Sequence, residues 1–111
     1  MKAALVLFGL IGLAGGLRAH GATAYFQSGV KFVYPQADGS FVLGFVNDAG
    51  TCSNTNSPKY FYVVAGQNGV TADGVKAMLA TALTAFATGS SLSGAFDDAT
   101  PACYINRFSV Q

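Results

Sequence analysis

The sequence predicts a small α+β domain that is mainly β. The expected architecture is a five-stranded antiparallel sheet or barrel with one amphipathic helix between strands 3 and 4. Three observations carry this. Short runs of aromatic and β-branched residues recur between turn-forming clusters. The apolar period becomes helical only once, between Thr71 and Gly89. The helix is thus segregated from the strands, which disfavours a parallel sheet.

Taken in order, Ser28 to Tyr34 reads as the first strand, with Val30, Phe32 and Tyr34 on one face and Lys31 and Val33 on the other. Pro35 to Gly39 is turn chemistry, and Asp38-Gly39 supplies the positive φ that a hairpin needs. Ser40 to Val46 returns as the second strand, apolar on both faces. Asn47 to Pro58 is a polar loop, and Lys59 to Ala65 is the strongest strand signal. Thr71 is a fitting N-cap with Asp73 in the first turn, and Gly89 a fitting stop. Val75, Met78, Leu79, Ala82, Leu83 and Phe86 form the face expected to cover the strands. The opposite face (Ala77, Ala80, Thr84, Ala87, Thr88) is small and uncharged, suited either to exposure or to packing on a neighbour. Ser91 to Phe96 and Ala102 to Val110 complete the strands, separated by the Asp97-to-Pro101 turn.

The 111 residues leave room for one domain. Residues 1–21 read as a secretory leader: Lys2 is followed by an uncharged run from Ala3 to Leu17, and small residues then mark cleavage after Gly21 or Ala24. The run is too short and Gly-broken for a membrane span. Residues 22–111 are then a single domain that is secreted or periplasmic, with no membrane contact after cleavage. Cys52 and Cys103 both lie in it, and two cysteines in a short exported chain pair. Such a bridge contributes about 4 kcal/mol in the chain-entropy model.

Composition narrows the chemistry. With the leader removed, Lys31, Lys59, Lys76 and Arg107 face five aspartates, a net charge near −1, and no histidine, glutamate or tryptophan is left. Without histidine there is no Ser-His or Cys-His pair. Ser28-Gly29-Val30-Lys31 matches a Ser-x-x-Lys string but lacks its companion motifs. Asp97 and Asp98 are adjacent turn residues, not a tuned acid/base pair. With no histidine and both thiols committed, a transition-metal site is not expected. No basic groove accompanies the aromatics, so nucleic acid is not the expected partner either. The reading is a protein that is not an enzyme and uses no cofactor.

Recognition remains. Tyr60 and Tyr62 share one face of their strand beside a loop carrying Asn54 and Asn56. Such a set can stack on sugar rings and hydrogen-bond hydroxyls, although aromatic strands are also ordinary core.

The order of elements, the aromatic strand after the Cys52 loop and the helix end Ala85-Phe86-Ala87-Thr88-Gly89-Ser90 together resemble the B subunit of subtilase cytotoxin and related bacterial toxin binding subunits. The resemblance implies an OB-like (oligonucleotide/oligosaccharide-binding) barrel, a homopentamer whose helices line a pore, and recognition of cell-surface glycans. The outer helix face at Ala77, Ala80 and Thr84 would then be the oligomer contact. This chain is shorter than the toxin subunits and has only two cysteines, and no toxin site maps onto it residue by residue. Expected partners are therefore glycans or another exported protein.

Overall fold

The computed structural model describes residues 23–111; the expected leader, residues 1–21, lies outside them. The elements are β1 (Thr23–Pro35), β2 (Phe41–Phe45), β3 (Phe61–Val63), α1 (Ala72–Thr88), β4 (Ser91–Asp97) and β5 (Ile105–Val110). They form one five-stranded antiparallel sheet in the order β3-β2-β1-β4-β5, with α1 between the third and fourth strands. The fold class is the one expected, as an open sheet and not a closed barrel.

β1 is longer than its sequence signal because it serves two partners. Thr23 to Gly29 pair with β4, and Val30 to Pro35 pair with β2. At the changeover the register slips: Val30 stands opposite Phe45 and Phe32 opposite Gly44, which leaves Lys31 as an extra residue. A bulge of this kind inverts the alternation beyond it. Ala24, Phe26 and Val30 therefore face the core, and so does Val33, while Phe32 and Tyr34 turn outward. The expected single face of Val30, Phe32 and Tyr34 is corrected by this one residue. Ser28, buried at the changeover, accepts the Asn47 amide (2.9 Å) and donates to the Gly29 carbonyl (3.0 Å), so its hydroxyl is occupied in joining β1 to the end of β2.

Five phenylalanines lie in the core, and four of them, one from each of four strands, form a chain of ring contacts beside Phe41. Phe26 meets Phe45 at 4.5 Å, Phe45 meets Phe61 at 5.0 Å, and Phe61 meets Phe96 edge-on at 5.1 Å between ring centroids. Pairs of this geometry contribute about 0.5–1.5 kcal/mol each beyond the area they bury. Helix α1 covers the cluster with Val75, Ala82 and Ala85, flanked by Met78 and Leu79. Thr71 caps it by accepting the Gly74 amide (3.0 Å), and Gly89 ends it at φ 69°. Leu83 and Phe86 were expected on the covering face, but each is about half exposed. The helix is rotated so that Ala82 and Ala85 take the contact line and the two larger residues fall at its margin.

The two end strands, β3 and β5, share no ladder. They are joined by the Cys52–Cys103 disulfide, by one backbone bond from the Tyr62 amide to the Ala102 carbonyl (3.2 Å), and by side-chain amides. Asn68, in the loop before α1, donates to the Tyr104 carbonyl (2.9 Å), and Asn106 donates back to the Asn68 carbonyl (2.7 Å). Cys103 sits at φ 46°, a left-handed conformation that interrupts the extended chain, so β5 begins at Ile105 and not at Ala102. β3 is likewise shorter than expected, since only Phe61 to Val63 find partners on β2.

Gly44 shows how closely the outer face is fitted. A Cβ placed there would lie 2.1 Å from the Phe32 ring. Gly44→Ala is expected to destabilise the domain by about 1–3 kcal/mol, as overpacking does, and to displace the Phe32 ring. Denaturant unfolding together with near-UV circular dichroism measures both effects.

Candidate functional site

The outward face of β1, β2 and β3 carries an aromatic plate of four rings. Pairing places Tyr34, Val42 and Tyr62 in one row across the three strands, and Phe32 beside Gly44 in the next. Tyr60, just before β3, completes the plate. Its centroid lies 5.7 Å from Phe32, 6.4 Å from Tyr34 and 6.3 Å from Tyr62, all edge-to-face, and Phe32 lies 6.4 Å from Tyr34. Val42 also points outward yet is fully buried, because the rings roof it. Tyr34 remains 52 % exposed and the other three rings are partly exposed.

Tyr60 owes its position to Asn54. The Asn54 side chain accepts the Tyr60 amide (3.1 Å) and donates to the Tyr60 carbonyl (2.7 Å), acting as a short substitute for a neighbouring strand. The same amide group donates to the Pro101 carbonyl (2.9 Å) and lies 3.3 Å from the Cys52 sulfur. One side chain thus ties the polar loop, the start of β3, the turn before β5 and the disulfide together. Asn56 is exposed, and both its backbone and side-chain nitrogens donate to Asn54 Oδ1 at 3.3 Å. Lys59 extends its ammonium to the Asn54 carbonyl (2.9 Å).

Of the four residues singled out from sequence for ligand contact, Tyr60 and Tyr62 join the plate. Asn54 directs its side chain into the protein, and Asn56 stays at the loop surface. Phe32 and Tyr34 complete the site and were missed. Their signal was present but weak: the apolar pair Val30 and Val33 is out of step with strict alternation, which is how a bulge reads in sequence. The plate offers apolar ring faces edged by three phenolic hydroxyls, which can stack on flat apolar groups and exchange hydrogen bonds at their rims.

The helix face proposed for oligomer contact lies elsewhere. Ala77, Ala80 and Thr84 are exposed, and the hydroxyls of Thr81 and Thr84 bond back to the carbonyls of Ala77 and Ala80 (both 3.0 Å). This presents methyl groups outward. Asp38 lies in the β1–β2 turn, where the Ser40 hydroxyl, and then the Ser40 amide, hold its carboxyl below its ordinary range. It belongs to the turn and not to the plate.

Replacing Asn54 by Ala removes its side-chain bonds to Tyr60, Pro101 and Asn56 together and is expected to cost on the order of 2 kcal/mol. Denaturant unfolding measures the loss, and changed amide shifts at Tyr60 would report that the plate has loosened. Comparison with protein-family models, with curated proteins and with solved structures finds no match for this chain.

Proposed function

We propose that this chain is an exported, non-enzymatic binding module whose aromatic plate holds glycans. The observation that carries this reading is the outward placement of Phe32, Tyr34, Tyr60 and Tyr62 on a sheet that already has a complete phenylalanine core. Aromatic rings facing water lose the burial that would stabilise the fold, so their cost favours a ligand that covers them. A pyranose presents a flat C–H face to such rings and hydroxyls to the tyrosine oxygens around them. The Cys52–Cys103 disulfide fits an oxidising compartment. No helix among the described residues is long and apolar enough to cross a membrane.

The alternative is a structural or protein-interaction domain of the same fold, with a protein as its partner. Leu83 and Phe86, exposed on α1 at 46 % and 50 %, favour it. Assembly into a ring through Ala77, Ala80 and Thr84, which the resemblance to toxin B subunits implies, belongs with the glycan reading.

A glycan array probed with the purified protein separates the two. Selective binding that falls at least about tenfold in Tyr34→Ala and Tyr62→Ala, with melting temperature unchanged, is the expected result. A flat array across neutral and charged glycans would remove the glycan reading in favour of a protein partner.

Export also has a checkable boundary. Thr23 and Ala24 are already paired with Asp97 and Phe96, and Ala24 packs on the core. Cleavage after Ala24 would strip two residues from the β1–β4 ladder, whereas cleavage after Gly21 leaves it whole. Intact-mass measurement of the exported protein is expected to show Ala22 as its first residue; a chain beginning at Tyr25 would refute this.

A further inference from the structure

The outward face at the other end of the sheet holds a second arrangement, made by a second bulge. Phe96 stands opposite Ile105, but its neighbour Ala95 stands opposite Arg107, so Asn106 is the extra residue on β5. Ile105 is buried in the core. Without the bulge Arg107 would point the same way; with it, the guanidinium faces outward. Bulges of this kind re-aim single side chains, and this one also fixes the side chain it turns. Asn106 donates to the Asn68 carbonyl (2.7 Å) while its oxygen accepts from Arg107 Nη1 (3.0 Å).

Arg107 is therefore held by a neutral amide, the side chain of Asn106. Asp97, the next outward residue of β4, accepts the Ala99 amide (2.9 Å). Register sets the surroundings. Tyr25, Ala95 and Arg107 form one outward row, and Gln27, Ser93 and Ser109 form the next. Tyr25, Ser93, Arg107 and Ser109 line a groove of about 330 Å³. Tyr25 is 69 % exposed and makes no ring contact among the described residues.

We propose that this groove is a binding site for the carboxylate of an acidic sugar, a uronic acid residue within a glycan. A single guanidinium with no second cation neutralises one negative charge, and its planar fork matches the two oxygens of a carboxylate. The excess of aspartates over cations in residues 23–111 works against a multiply charged ligand. The groove is open, so it takes a ring laid flat on Tyr25 and not one enclosed. The hydroxyls of Ser93 and Ser109 then meet the ring hydroxyls. This site shares the glycan reading with the aromatic plate but none of its residues, and it stands or falls independently.

The test uses methyl galacturonoside, which carries one carboxylate, and its methyl ester, which keeps the ring and removes the charge, in titrations followed by amide NMR shifts. The acid is expected to bind at least about tenfold more tightly than the ester, with shifts centred on Ser93, Arg107 and Ser109. Arg107→Gln is expected to bring the acid down to the ester's affinity while leaving ester binding and melting temperature unchanged. Tyr25→Ala should weaken both. Equal binding of acid and ester, no binding of the acid, or a charge preference that survives Arg107→Gln would overturn the proposal. Tyr62→Ala serves as the control for the plate: an acid preference that persists in it supports this groove even if the plate binds no glycan.

Discussion

Two extra residues, Lys31 in β1 and Asn106 in β5, determine what this sheet shows to solvent. In a regular strand every second side chain faces the core, and one inserted residue reverses that assignment for everything beyond it. Before Lys31 the even-numbered residues Ala24, Phe26 and Ser28 point inward; after it Val33 does, and Phe32 and Tyr34 are expelled. Asn106 does the same for Arg107 relative to Ile105. A glycine on the partner strand accompanies each bulge. Gly44 lies under the Phe32 ring, and a Cβ on Gly94 would lie 2.1 Å from the Arg107 carbonyl oxygen. The irregular strands can approach their neighbours only where the neighbour has no side chain in the way.

The open sheet poses a different problem, because its two end strands would otherwise leave unpaired backbone groups. The answer is local and mostly side-chain based. The disulfide joins positions 51 residues apart, which restricts the unfolded chain by about 4 kcal/mol in the entropy model. Around it Asn54, Asn68 and Asn106 supply the donors and acceptors that a ladder would have supplied. Asparagine suits this task, since its amide carries the same donor and acceptor pair as the backbone. The same residues that close the fold thus also position Tyr60 and Arg107.

The division between phenylalanine and tyrosine follows from the same physics. The four rings at the centre of the core are all phenylalanine, and none of the tyrosines in residues 23–111 is buried. A phenol placed inside would need a partner for its hydroxyl, whereas at the surface water supplies one. Phe32 departs from this sorting, and it does so where tyrosines surround it and Gly44 gives its ring a flat seat. Exposed aromatic area outside the core is the property on which both proposed binding surfaces rest.

Much of this was readable without coordinates. Composition alone removed histidine chemistry from residues 22–111. The change of period at Thr71, the cap at Thr71 and the stop at Gly89 fixed α1, because these signals are local and act within one turn of chain. The Asp38-Gly39 hairpin, the five strands and the pairing of the only two cysteines were legible for the same reason. Tertiary structure decided what depends on distant partners. It left the sheet open, gave the Asn54 side chain its bonds to Tyr60 and Pro101, moved Leu83 and Phe86 to the margin of the helix contact, and placed Phe32, Tyr34 and Arg107 outside. Each of these turns on register, a relation between strands, and no single strand's sequence contains it.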